Sequence, residues 1–447
     1  MTHSDSTQTG NLAIRASFVH CLDNPASSNN AAIDDAAIEF LEDGILLIED
    51  GHVKSLTPAN KHSAPVTTNV IDYSGKLIVP GFIDTHVHYP QVDVMASYGS
   101  QLLDWLERYT FPAEMRFDNP AVAADTAAFF LDQLLANGTT TALVFGTVHA
   151  GSVSAFFEAA ACRHLRMIAG KVLMDRNAPE ELCDTPESGY RDSKQLIKTW
   201  HGRDRLGYAV TPRFAPTSSG DQLAMAGRLL DEHPDVHLHT HLAENTDECD
   251  WVASLFPDEL DYLAVYERHG LVRKRSVFAH AIHLSSSAWS RLAQQQAAVA
   301  HCPMSNLFIG SGLFDLRAAT SANVNVGLGT DIGGGDSFSM LRVINEAYKI
   351  QQLQKNPLAP QIALYLATLG GARALDLDNY IGNFLPGKEA DFVILDDQAT
   401  PLLTRRLQST KNWQERLFAW MMLGDDRAIY DTFILGQSAK RKQLINE

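Results

Sequence analysis

Eight short runs of apolar and β-branched residues, each followed by a longer amphipathic stretch, fill the middle of the chain and constrain its fold more than any other feature. They are LIVPGFIDTHVH ending at His88, TTTALVFG at 139–146, MIAGKVLMD at 167–175, LGYAVTPRF at 206–214, VHLHTHLAE at 236–244, SVFAHAIHL at 276–284, AAVAHCPMSN at 297–306 and VNVGLGTDIGG at 324–334. Strands that alternate with helices form βα units and a parallel sheet. Eight units predict a closed (β/α)8 TIM barrel. Upstream, ILLIEDGHVKSL, ending at Leu56, joins two β-rich runs around Asp50-Gly51, a strong hairpin signal. The stretch 25–37 is rich in Ser, Asn, Ala and Asp and is expected as a loop. Downstream, FLPGKEADFVILD at 384–396 returns to the sheet-like texture of the first segment. The expected architecture is α/β: a barrel over 79–377 inserted into a small β-sandwich domain built from both chain ends, 1–78 and 378–447.

Composition removes several classes. With 45% hydrophobic and 20% charged residues among 447, the chain is neither disordered nor a disulfide scaffold. No segment approaches 18 uninterrupted apolar residues, so no membrane span is expected. Met1–Gly10 is polar and does not resemble a secretory signal, which makes a cytoplasmic location the expectation. The 36 Lys+Arg against 53 Asp+Glu give a net charge of −17, which repels phosphate backbones and argues against nucleic acid as a partner. The five cysteines are odd in number and contain no C-x-x-C, so neither a disulfide framework nor a thiolate zinc site is expected.

Polar residues gather at the carboxyl ends of the runs, the face on which such barrels build their sites. They are His86 and His88 on the first, Arg213 on the fourth, His241 and Glu244 on the fifth, His280 on the sixth and Asp331 on the eighth. One H-x-H means little in a chain with 17 histidines, and this one has three such pairs, His86/His88, His237/His239 and His239/His241. The combination means more. Residues i and i+2 of a strand share a side, so His86 and His88 can both face the axis. A third imidazole from the fifth strand and a carboxylate from the eighth complete a three-nitrogen, one-oxygen set suited to Zn2+ or Fe2+. His237 and His239 share the parity of His241 but lie deeper, and are expected as core or supporting groups.

The motifs PGFIDTHVH at 80–88, HLAE at 241–244, HCPMSN at 301–306, GTD at 329–331 and PGKEADFVIL at 386–395 resemble the amidohydrolase superfamily. HVHYPQ at 86–91, QLLDWLERYTFPAE at 101–114, TTTALVFGTVH at 139–149, DRNAP at 175–179 and TPRFAPT at 211–217 are similar to its guanine deaminase branch. The likeness covers nearly the whole chain. It implies His86, His88, His241 and Asp331 as ligands of one Zn2+ per chain, with Fe2+ the alternative. It implies Glu244 as proton shuttle, His280 as the group bonding the attacking water and tetrahedral oxygen, and Gln91, Arg213 and Phe214, with His241 and His280, as the residues that hold the purine. It also implies a homodimer.

The reaction implied is hydrolytic conversion of guanine to xanthine and ammonia at C2, in purine catabolism. A divalent cation lowers the pKa of its water toward about 7, Glu244 can protonate the neighbouring ring nitrogen, and Asp331 can take the water's proton. A guanidinium offers only donors, so Arg213 favours an edge with acceptors such as the 6-oxo group. The plainer alternative pairs Arg213 with a loop carboxylate and packs Phe214 in the core. Trp105, Tyr109 and Phe111 are expected either as a lid or as packing between barrel helices. Cys302 is expected as a buried apolar group and Lys171 as an ion-pair partner. Asp336 bears on substrate breadth only if it lines the pocket. Competing readings are deaminases or chlorohydrolases of other heterocycles, such as 8-oxoguanine, methylthioadenosine or triazines, and a metal-free barrel serving as an interaction module.

Overall fold

The structure, a computed structural model, describes residues 12–26, 33–61, 69–99 and 101–440; the polar Met1–Gly10 segment lies outside them. Four strands open the chain, β1 (Leu12–Cys21), β2 (Ile38–Glu49), β3 (His52–Pro58) and β4 (Asn69–Pro80). The β2–β3 hairpin turns at Asp50-Gly51, both at positive φ (50° and 77°), as the Asp-Gly signal required. Within the expected loop 25–37, Ala26 bridges to Ile33 and a short 3-10 turn covers Asp35–Ala37.

The barrel strands follow: β5 (Phe82–His88), β6 (Thr139–Phe145), β7 (Arg166–Gly170) with its two-residue continuation β8 (Val172–Leu173), β9 (Gly207–Pro212), β10 (His237–Leu242), β11 (Ser276–His280), β12 (Ala298–His301) and β13 (Asn325–Leu328). They pair parallel in chain order, β8 pairing with β9. Beyond the ladder, β5 is joined to the segment after β13 by Asp331 N–H to the His86 carbonyl (2.9 Å) and His88 N–H to the Ile332 carbonyl (3.0 Å). Three of the expected site residues, His86, His88 and Asp331, are therefore held where the barrel closes. Ile83, Leu143, Ile168, Ala209, Val277, Ala298 and Ala300 fill the interior, and Leu375 and Leu377 plug the lower end.

The chain then returns through β14 (Phe392–Leu395), β15 (Ile429–Ile434) and β16 (Gln437–Ser438). These join β1–β4 in one seven-stranded sheet, ordered β16-β15-β14-β4-β1-β2-β3. Its two ends meet, because Gly436 abuts Ile48 and Gly51 abuts Leu435. The sheet thus closes over a shared core of Ile14, Phe18, Leu46, Ile78, Phe392 and Phe433, giving the expected sandwich from both chain ends.

One expectation needs correction. Leu77–Pro80, taken with the first barrel run, belongs to the small sheet, where it pairs antiparallel with Leu395–Phe392. The break falls at Gly81, where a Cβ would meet Thr140 Oγ1 at 2.1 Å, so only glycine lets the strand cross from one sheet to the other. Two helices not anticipated from the sequence, Pro401–Leu407 and Trp413–Leu423, lie between β14 and β15, and the second buries Trp420 against the barrel's helical layer.

The barrel's amino-terminal end is tied to the small domain by buried ion pairs. Arg166 and Arg205, which precede or open barrel strands, meet Glu389 and Asp391 just before β14. Arg205 Nη1 donates to Asp391 Oδ1 at 3.1 Å and Nη2 reaches Glu389 at 3.2 Å.

Candidate active site

At the opposite, carboxyl-terminal end, the structure brings the four expected donors to one point. His86 Nε2 and His88 Nε2 are 3.2 Å apart, and His88 Nε2 and His241 Nε2 3.3 Å. Asp331 Oδ1 lies 3.1 Å from His86 Nε2 and 3.3 Å from His88 Nε2. Ligand atoms about 2.0–2.1 Å from a tetrahedral cation sit roughly 3.3 Å from one another, so these spacings fit such an ion.

The tautomers agree. His241 Nδ1 donates to the Arg213 carbonyl (2.7 Å), which leaves the Nε2 lone pair facing the cluster. His86 Nδ1 pairs with His239 Nε2 at 2.7 Å, placing His239 behind a ligand. His237 lies at the floor, bonded to the Leu375 carbonyl. Burial, reinforced by neighbouring His86, pushes His88 down to about 3, and burial lowers His86 and His241 as well. Burial opposes ionisation of Asp331, yet His86 and His88 hold its carboxyl well below the usual range. His86, His88 and His241 form one cluster of donors and Asp331 joins it through His86 and His88, a set of imidazoles and a carboxylate that could hold a divalent metal. Cys302 borders the same cluster, but burial holds its thiol well above its ordinary value and Sγ faces the Ala300 carbonyl, so it packs as an apolar group.

Backbone strain accompanies the geometry. Ala243, His280 and Asp331 all occupy the left-handed region, at φ of 48°, 69° and 50°. The turn at Ala243 brings Glu244 back toward the pocket. Glu244 Oε1 accepts from Ser311 Oγ (3.1 Å), and Oε2 lies 3.4 Å from His280 Nε2. Burial, aided by the Asp331 charge, pushes the Glu244 carboxyl up to about 8. His280 Nδ1 donates to Asn306 Oδ1 (2.8 Å), which turns Nε2 toward Glu244 and Asp331.

A cavity opens over these groups, lined also by Gln91, Arg213, Phe214, Leu102, Trp105, Leu106, Ile309 and Gly334. Trp105 and Leu106 therefore cover the pocket, carried on the helix Leu102–Trp105 and a single π turn, Leu106–Thr110, of the kind often found at functional sites. Tyr109 and Phe111 do not line it; Phe111 stands under the Arg213 guanidinium, 5.6 Å from ring centroid to Cζ. Asp336 is exposed on the surface beside Arg342 and does not line the cavity. Lys171 is paired with Asp184 away from it.

Arg213 lines the cavity and also forms the ion pair of the plainer reading, although its partner Glu114, at 2.8 Å, stands on the short helix Phe111–Met115 and not in a loop. Glu114, Ser311 and Asn306 were not singled out from sequence. Glu114 and Asn306 stand inside the family motifs QLLDWLERYTFPAE and HCPMSN, but Ser311 lies in a loop without any pattern.

Comparison with known proteins places the chain in a family. The model of the amidohydrolase family matches residues 77–439. The chain is 54% identical over 430 residues to the guanine deaminase of Escherichia coli (strain K12), covering 95% of this chain and 97% of that protein. The solved E. coli guanine deaminase superposes with a TM-score of 0.93 at 53% identity, over 96% of this chain and 99% of that one. A guanine deaminase from C. acetobutylicum, solved with guanine bound in its active site, superposes with a TM-score of 0.86 at 26% identity, over 96% and 100% of the two chains.

Proposed function

The chain belongs to the amidohydrolase family, and we infer that it catalyses the hydrolytic deamination of guanine to xanthine and ammonia. The observation that carries this reading is one cavity lined by His88, His241 and Asp331, with His86 within 3.2 Å of His88 and of Asp331 behind them, and by Arg213 and Gln91 on its wall. Similarity to guanine deaminases over most of the chain supports the same substrate.

Zn2+, one ion per chain, would be held by those four residues and would acidify water at neutral pH. Asp331 accepts the proton of the attacking water. Glu244, protonated near neutrality in its buried position, gives a proton to the ring nitrogen beside C2 and later carries one to the departing amine. His280 orients the oxygen at C2 through Nε2, its other nitrogen being fixed by Asn306. Arg213 and Gln91 bind the oxo edge, Phe214 lies against the ring, and Trp105 with Leu106 excludes bulk water. We further place the protein in purine catabolism as a cytoplasmic homodimer. No helix among the described residues is long and apolar enough to cross a membrane, and the homodimer is what the family implies.

The test is to mix purified protein with guanine and follow xanthine and ammonia, beside a chelator-stripped sample and Glu244→Gln. Loss of a positioned acid costs roughly 10² to 10⁴ in rate, so Glu244→Gln should fall by that much while retaining its metal. No turnover by fully metallated protein would refute the guanine reading.

A further inference from the structure

Glu114 is buried to 0% exposure, beyond the reach of the metal cluster, yet it touches both polar residues of the purine wall. Its Oε1 accepts from Gln91 Nε2 at 3.0 Å and from Arg213 Nη1 at 3.0 Å, and its Oε2 accepts from Arg213 Nη1 at 2.8 Å. On the far side of the Gln91 amide, Gly333 N–H donates to Oε1 at 3.3 Å. A Cβ at Gly333 would meet the Gln91 carbonyl oxygen at 2.6 Å, so this close approach depends on glycine.

The consequence is a two-sided lock. Were the Gln91 amide flipped, its oxygen would face a carboxylate and its NH2 would face an N–H, two repulsive contacts in place of two hydrogen bonds. The native orientation leaves the second Nε2 hydrogen free to serve the cavity. Arg213 is treated in the same way. Glu114 occupies only Nη1, and among the described residues Nη2 and Nε make no hydrogen bond, so they remain to serve a ligand. Phe111 beneath the guanidinium fixes its plane.

We propose that Glu114 is the specificity-determining positioning residue: by holding Arg213 and the Gln91 amide in one orientation, it makes the wall a donor surface that selects 6-oxo over 6-amino purines. The proposal rests on the guanine reading for its substrate. A neutral or mobile wall would still bind a purine, but Gln91 could then turn its oxygen toward an exocyclic amine. Rejection of the wrong heterocycle would weaken before catalysis failed.

The experiment measures competitive binding of hypoxanthine and adenine, which share a ring and differ at C6, to metallated wild type, Glu114→Gln and the exchange variant Gln91→Glu/Glu114→Gln. Guanine turnover is followed in parallel, with metal content and melting temperature as checks on folding. A site built around a hydrogen bond rejects the mismatched analogue by up to about 10⁴. Glu114→Gln should shrink the hypoxanthine-to-adenine ratio by about tenfold or more, the value of roughly one hydrogen bond to a charged group. It should also raise KM for guanine more than it lowers kcat. The exchange variant, which moves the acceptor to the wall, should shift preference further toward adenine. An unchanged ratio in folded, metallated variants overturns the proposal, as does an equal loss for both purines. Should wild type bind hypoxanthine selectively without deaminating guanine, the donor wall stands and the guanine reading falls.

Discussion

Replacing Arg205 with Met tests how the two domains are held together. Arg205 is 10% exposed and its partner Asp391 2%, so the substitution strands a carboxylate away from water. Breaking a buried pair by removing one partner costs about 3–5 kcal/mol. The lower end applies here, since Asp391 keeps the Leu435 N–H at 2.8 Å and Glu389 keeps Arg166. With an unfolding entropy of about 2.1 cal/mol/K per residue over 447 residues, roughly 0.9 kcal/mol/K, the melting temperature should fall by about 3 °C. Calorimetry of the metallated enzyme measures it. Arg205→Met/Asp391→Leu removes the stranded charge and should recover much of the loss. Because these residues sit at the end of the barrel opposite the cavity, kcat/KM for guanine at 25 °C should not change. A fall below about 1 °C, or a double variant no more stable than the single one, would show that the ion pair does not hold the domains.

Stripping the metal should lower the melting temperature by about 4 °C, since a ligand at 1,000 times its Kd stabilises by about 4 kcal/mol; His88→Ala should abolish stoichiometric metal and lose this difference. His237, buried at the barrel floor, is pushed down to about 4 by burial, from 6.5. Its contribution is therefore present above pH 6.5 and is lost as the pH falls toward 4, amounting to roughly 3 kcal/mol. His237→Gln should show a shallower decline of melting temperature from pH 7 to 4.5, and parallel curves would refute this. Gly81→Ala drives a methyl into Thr140 and should cost about 1–3 kcal/mol; adding Thr140→Ala should restore part of it, as thermal melts would report.

The barrel was legible because its signal is local: each buried strand is a short β-rich run, and His86, His88, His241 and Asp331 stand at the ends of such runs. What escaped were relations between distant positions. Glu114 lies 99 residues from Arg213, and no periodicity links a carboxylate on a helix to a guanidinium at a strand end. Asn306 meets His280 from the start of the helix after the next barrel strand, 26 residues on, a pairing that the sequence does not dictate. Leu77–Pro80 looked like barrel because its apolar run leads straight into Phe82–His88, and only the contact between Gly81 and Thr140 reveals where one sheet hands over to the other. Trp105 pointed equally to packing or cover, and its place in the cavity lining, set by contacts distant in sequence, decides the matter.

The insertion of the barrel into the small sheet also sets a timetable for synthesis. β4 needs β14 to complete its outer side at Leu77–Pro80, but Phe392 follows Pro80 by 392 − 80 = 312 residues. At about 5–20 residues per second, a ribosome takes roughly 15–60 s to cover that distance. Throughout that interval the nascent sheet carries an open hydrogen-bonding edge, the kind of surface that recruits other strands. Emergence of Phe392–Leu395 closes it, so release of a chain ending before this strand would leave a permanently adhesive fragment.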